Sequence, residues 1–248
     1  MPSREYRVGG ETLYSSQTNA FMTWVKICGM TNLEDALTAV DAGADAVGFV
    51  FYEKSPRNIS VETAGEIVEK LPGSVEKVGV FVDLESERIR EIVLKTGMTA
   101  VQLHGKPSLE SVLFNDARPA VESVGVAKLI AMIPDQALHQ GSGVGISRRI
   151  RERTFAVLID AQVSGKAGGT GTRFDWEANR EMVRLLGLLI PVIVAGGLTP
   201  SDVAEAMSIF HPFGVDVASG VEARPGKKDS EKVRAFVRAV READRKAS

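Results

Sequence analysis

Between Trp24 and Ala218, eight short apolar runs recur, each followed by a stretch with helical patterning. The runs are 24–28, 45–51, 76–82, 99–103, 124–132, 154–160, 190–195 and 214–218. The helical stretches lie near 32–42, 60–71, 84–96, 107–116, 134–151, 175–187, 199–210 and 228–245. Val- and Ile-rich runs without polar alternation are the pattern of strands buried on both faces, and strands separated by helices form parallel sheets. Eight such units in a 248-residue chain predict a single-domain α/β fold, a (β/α)8 barrel of residues 22–248. An open doubly wound sheet is the alternative. It lacks its usual sign, a G-x-G-x-x-G turn after the first strand with an acidic residue about 20 positions on.

Capping chemistry supports the helix positions. Thr31-Asn32, Ser60 and Thr199-Pro200-Ser201 stand at expected helix starts, and Asp41-Ala42-Gly43-Ala44 reads as a helix end closed by glycine. Residues 1–21 are polar, rich in Ser, Thr, Gly, Gln and Asn, and carry little periodicity. They are expected to form a poorly structured extension, with Met22 directly before the first strand.

Charge and composition narrow the partners. A net charge of −2 without a Lys/Arg block before the C-terminal helix argues against nucleic acid or an anionic membrane. No apolar run is long enough to span a bilayer, and the N-terminus lacks a signal-peptide core. One cysteine and no such signal make a reducing cytoplasm the expected compartment.

In this fold, chemistry gathers at the C-terminal strand ends. The first strand ends Lys26-Ile27-Cys28, and alternation puts Lys26 and Cys28 on one face. Cys28 is the sole cysteine, so it is core filler or a reactive thiol, and a thiol needs a cationic neighbour to become a good base at neutral pH. Arg57 follows the second strand, either as a clamp for a carboxylate or as a solvated loop charge. Gln102 and His104 share a face at the end of the fourth strand. The histidine suits a base, a donor or a structural role, and no second histidine stands in ligand spacing for a metal. Asp160 closes the sixth strand. A carboxyl there is a general acid if burial raises its pKa, or otherwise a cap or loop ion pair.

Glycine-rich turns follow the seventh strand, at Gly196 and Gly197, and the eighth, at Ser219 and Gly220. Barrels of this kind bind phosphate there through backbone N–H groups. A further glycine-rich loop, Gly165 to Thr172, does not match a P-loop. By composition alone it resembles a phosphate cradle, and its segment from Gly168 to Thr172 is equally expected to act as a lid.

Taken together, these segments resemble the phosphoribosylanthranilate isomerase family of tryptophan biosynthesis. The resemblance rests on K-I-C-G-M-T at 26–31, G-A-D-A-V-G-F-V-F at 43–51, S-P-R-N-I-S at 55–60, V-G-V-F-V at 78–82 and V-Q-L-H-G at 101–105. It continues through L-I-D-A at 158–161, G-G-T-G-T-R-F-D-W at 168–176, A-G-G-L at 195–198, V-D-V-A-S-G-V-E at 215–222 and P-G-K-K-D at 225–229. These lie in family order from residue 24 to the C-terminus.

The resemblance implies an Amadori rearrangement of N-(5-phosphoribosyl)anthranilate without metal or organic cofactor. It makes Cys28 the general base, Asp160 the general acid and Arg57 the partner of the anthranilate end. Gln102, His104 and Asp216 are expected to face the substrate, and Gly196, Gly197, Ser219 and Gly220 to hold its phosphate. The protein is expected to be a monomer or homodimer. Two departures stand out. Residues 1–21 match nothing in the family pattern, and Ala218-Ser219 stands where two small hydroxyl residues are common. The competing readings are the related aminoaldose-phosphate isomerase of histidine biosynthesis, an isomerase acting on both substrates, and a non-catalytic phosphosugar-binding barrel. Cysteine where the histidine-pathway enzymes carry aspartate counts against the first. A metal-dependent aldolase or epimerase would need a His/carboxylate cluster that the sequence lacks.

Overall fold

The computed structural model describes residues 7–8, 11–12, 22–104, 128–133, 154–160 and 176–247. The expected helices near 107–116 and 134–151, the start of the fifth strand at 124–127 and the loop from 161 to 175 lie outside the described residues. Arg7–Val8 and Glu11–Thr12 pair as a two-residue antiparallel ladder separate from the main sheet.

Eight parallel strands close on themselves, as the apolar runs predict. They are β1 (Trp24–Cys28), β2 (Ala46–Phe51), β3 (Glu76–Val82), β4 (Ala100–His104), β5 (Lys128–Ile133), β6 (Ala156–Asp160), β7 (Val192–Ala195) and β8 (Gly214–Val217), with β8 pairing back onto β1. Their continuous apolar character has a direct cause, since each strand buries both faces. Outward side chains such as Val25, Ile27, Val47, Val215 and Val217 join the large cluster under the helices. Inward ones such as Ala46, Val50, Val78, Val80, Ile130, Leu158 and Ile193 fill the barrel.

Six helices are described: α1 (Leu33–Asp41), α2 (Val61–Val68), α3 (Ser86–Thr96), α4 (Trp176–Gly187), α5 (Val203–Phe210) and α6 (Ser230–Ala247). Asn32 caps α1 by accepting from the Asp35 N–H at 2.9 Å, and Ser60 caps α2 by accepting from Thr63 N–H at 3.1 Å. Helix α1 ends as its sequence requires. Gly43 takes φ +92°, its N–H donates to Val40 O, and Ala44 N–H donates to Ala39 O, the paired bonds of a Schellman turn. Helix α5 begins later than the expected 199. The Asp202 carboxylate accepts from Thr199 N–H at 2.7 Å, which folds 199–202 into a turn and leaves Val203 as the first helical residue.

Helix α6 seals the first strand from outside. Val233, Phe236, Val237 and Val240, spaced to share one face, are buried, each worth about 1.5–3 kcal/mol on burial. Asp244 near its end accepts from Thr23 N–H at 3.1 Å and Thr23 Oγ1 at 2.6 Å. The N-terminal end of the barrel is plugged by Trp24, Phe155 and Phe213, with ring centroids 5.6–6.4 Å apart. The opposite end is left to polar groups.

Candidate active site

The first and last strands supply the deepest charges of that polar end. Register places Asp216 of β8 beside Lys26 of β1. Lys26 is fully buried, and its Nζ donates to Asp216 Oδ2 at 3.0 Å. Burial pulls the ammonium pKa down, but Asp216 and the neighbouring Cys28 outweigh it and leave the group above its ordinary value.

Two residues on and on the same face lies Cys28, buried at the end of β1 and paired with Gly48 of β2. Gly48 makes room for both side chains. A methyl there would stand 2.8 Å from Cys28 Sγ and 3.1 Å from Lys26 Nζ. The expected cationic neighbour is therefore in place. The net effect on the thiol is nevertheless upward, because burial disfavours the thiolate more than Lys26 favours it. Asp216 adds to the rise, and Lys228 opposes it.

Gly29, at φ +83°, lets the Arg57 stem cross the backbone just past Cys28. A Cβ on Gly29 would stand 2.5 Å from Arg57 Cδ. Arg57 is not a solvated loop charge. Its Nε and Nη2 grip both oxygens of Glu222 at 2.7 and 2.8 Å. Glu222 begins β9 (Glu222–Arg224), which pairs antiparallel with β10 (Lys227–Lys228). The same carboxylate accepts from Lys228 Nζ at 3.0 Å, and Lys228 also donates to Ala218 O at 3.0 Å. Burial raises the Glu222 carboxyl, yet Arg57 and Lys228 together hold it below the usual carboxylate range. The hairpin docks through Asp35 of α1, which accepts from Lys228 N–H at 2.7 Å and Lys227 Nζ at 2.6 Å.

From β4, Gln102 and His104 enter the same interior, with Gln102 Nε2 2.5 Å from His104 Nε2. Burial first, and Lys26 second, push His104 down to about 4. It is therefore neutral at pH 7, the only form with a ring nitrogen free to accept from the amide. Two buried acceptors nearby make no hydrogen bond among the described residues, Gln102 Oε1 and Asp216 Oδ1. Buried acceptors are costly unless a donor arrives.

Asp160 ends β6 on the inner face, in line with Ala156 and Leu158, half-buried, with Ala195 of β7 as its register partner. It shares the C-terminal end of the barrel with Cys28 but sits three strands away around the ring. The turns after β7 and β8 press together. Gly196 and Gly197 take φ +94° and +67°, and Ser219–Val221 forms one 3-10 turn. A Cβ on Gly220 would lie 1.8 Å from Leu198 O, so only glycine permits this approach. Gly196, Gly197, Ser219 and Gly220 thus belong to one rim of the barrel.

Every expected site residue lies at this end, apart from the segment Gly168 to Thr172, which falls outside the described residues. Sequence reasoning gave no role to Glu222, Lys228 or Gly48. All three stood within the family-like segments at 43–51, 215–222 and 225–229, but nothing in the spacing tied Glu222 or Lys228 to Arg57. No group of three or more His, Cys, Asp or Glu that could hold a metal exists among the described residues, and no described helix is long and apolar enough to cross a membrane.

Comparison with known proteins places this geometry. The profile of the N-(5'-phosphoribosyl)anthranilate (PRA) isomerase family matches residues 25–239. The N-(5'-phosphoribosyl)anthranilate isomerase of Thermotoga neapolitana is 44% identical over 220 residues, covering 88% of this chain and 98% of that protein. A crystal structure of phosphoribosyl anthranilate isomerase in complex with reduced 1-(o-carboxyphenylamino)-1-deoxyribulose 5-phosphate is 37% identical with a TM-score of 0.71, covering 89% of this chain and all of that one. Monomers generated from the dimeric enzyme of Thermotoga maritima align with a TM-score of 0.70 at 36% identity, over 89% of this chain and all of the other.

Proposed function

This chain belongs to the N-(5'-phosphoribosyl)anthranilate isomerase family, and from that premise we propose that Asp160 and Cys28 are the acid and base of its Amadori rearrangement. The observation that carries the reading is their placement. Carboxyl and thiol stand on the inner faces of β6 and β1 at one barrel end, beside the paired glycine turns of β7 and β8.

Asp160 protonates the ribose ring oxygen. The bond from that oxygen to C1′ breaks, and the anthranilate nitrogen lone pair closes a Schiff base to C1′. Cys28, as thiolate, takes the proton from C2′. The C–H electrons form a C1′–C2′ double bond and the imine electrons return to nitrogen, giving an enolamine. The 2′-hydroxyl then loses its proton as C1′ gains one, which leaves the ketose. Substrate atoms balance, and the enzyme resets when Cys28 releases its proton and Asp160 regains one through solvent. An acid and a base of different type on different strands suit this division of labour.

Gly196, Gly197, Ser219 and Gly220 hold the phosphate, and its binding energy fixes the ribose. The open acceptors Gln102 Oε1 and Asp216 Oδ1 suit ribose hydroxyl donors, with His104 holding the Gln102 amide. Arg57 faces the anthranilate carboxylate.

The test is the loss of fluorescence of freshly made phosphoribosylanthranilate with wild type, Cys28→Ala and Asp160→Asn. Turnover by wild type with kcat lower by about 10³-fold in each variant is expected. Near-normal kcat in Cys28→Ala would sink the base assignment. No turnover by folded wild type would shift the reading to the histidine-pathway aminoaldose phosphate, or to a binding barrel.

A further inference from the structure

The acid–base scheme gives no part to Lys26, a fully buried charge in the barrel. A lysine is almost never buried to this degree without a specific partner. Its partner Asp216 uses only Oδ2 on it, at 3.0 Å. Its ammonium and the Cys28 sulfur both press on the space left by the missing side chain of Gly48, 3.1 and 2.8 Å from where a Cβ would be.

Among the described residues, charged groups stand around the thiol on several elements. Lys26 lies on its own strand, Asp216 on β8, Arg57 on the loop after β2, and Glu222 and Lys228 on the β9–β10 hairpin. His104 on β4 faces Lys26 and is neutral at pH 7. Three cations therefore stand against two carboxylates. A neutral thiol leaves the cluster with surplus positive charge, and a thiolate closes the balance in a medium where an unbalanced charge is expensive.

We propose that Lys26 is the positioning residue of the base: clamped by Asp216 and seated by the gap at Gly48, its ammonium carries the negative charge of the Cys28 thiolate. This deepens the reading of Cys28 as base and rests on it. It adds a residue whose removal disables the base without touching substrate.

Because Cys28 is the only cysteine, its alkylation by iodoacetamide, followed by intact mass against pH, reports its ionisation without substrate. In Lys26→Met the midpoint of that profile moves up by about one pH unit or more, a tenfold loss of thiolate at neutral pH. Lys26→Arg keeps the charge and stays within about half a unit of wild type. If Lys26→Met fails to fold because Asp216 is left unpaired, the Lys26→Met/Asp216→Asn double variant removes both charges and serves in its place. Lys26 acts on the thiol more strongly than Asp216 does, so the midpoint rises there too. An unmoved midpoint in whichever variant is folded by circular dichroism overturns the proposal. The acid limb of kcat/KM moves with the alkylation midpoint. A purely structural lysine would lower the plateau and leave the limb in place, which also overturns it. A shifted midpoint in a protein without isomerase activity would leave the lysine's role standing and remove the proposed reaction. Activity with an unshifted midpoint would do the reverse.

Discussion

Among the described residues, two strand lysines point into the barrel, Lys26 near one end and Lys128 at the other, and they lead different lives. Lys128, at the N-terminal end of β5, is about one-third exposed. It pairs with Glu76 of β3 and lies 5.0 Å from the centre of the Phe155 ring. Glu76 in turn accepts from Thr99 Oγ1 at 2.6 Å. Lys26 is wholly enclosed, and its counter-ion keeps one oxygen unused. At the plugged end, charge is arranged among itself and touched by water. At the other end, burial is deeper and satisfaction among the described residues poorer: two acceptors there find no donor, and a thiol lies beside a cation. The proposed substrate end is thus the one where buried acceptors among the described residues still want donors.

That contrast can be attacked from both sides. The largest separation is expected from Phe155→Ala. It removes a ring from the aromatic plug and should cost about 3–5 kcal/mol in urea unfolding. The folded fraction should turn over at wild-type kcat, and a kcat loss matching that of Cys28→Ala would mean the two ends are not independent. His104→Gln should matter next, and its effect on stability should be read in acid. The folded-state pKa of His104, about 4, lies below its unfolded value, so between about pH 6.5 and 4 the unfolded chain binds the extra proton. Stability present above that window is lost as pH falls through it, by about 3 kcal/mol. The variant should lose that much less than wild type over the same range; parallel pH–stability curves would show that His104 does not contribute. Smallest is Lys128→Met. A partly exposed pair screened by water should yield less than about 1 kcal/mol, with kcat and the alkylation profile of Cys28 unchanged. A shift in that profile would show the two lysines to be coupled across the barrel.

The barrel was legible because its strands are buried on both faces and so write themselves as unbroken apolar runs. Asn32, Ser60 and Gly43 then punctuate the helices by local bonds that sequence spacing captures. The Arg57–Glu222 grip is different. Its partners lie 165 residues apart, and no periodicity links a loop after β2 to a hairpin after β8. The thiol shows a second kind of illegibility. Alternation correctly put Lys26 and Cys28 on one face, but the depth of burial that reverses the net shift depends on the closed barrel around them. The late start of α5 has a smaller cause: Thr199 and Ser201 look like caps, yet Asp202 captures the Thr199 N–H first.

Lys26 and Asp216 are separated by 190 residues. During synthesis the first strand is made with an ammonium that must end up dry, and its counter-ion arrives only with the eighth. Until then, burying the first strand in a closed ring would strand a charge, so premature closure of a shorter barrel is penalised. The pair therefore ties the two ends of the sheet together: a ring closed without β8 would hold Lys26 without its counter-ion.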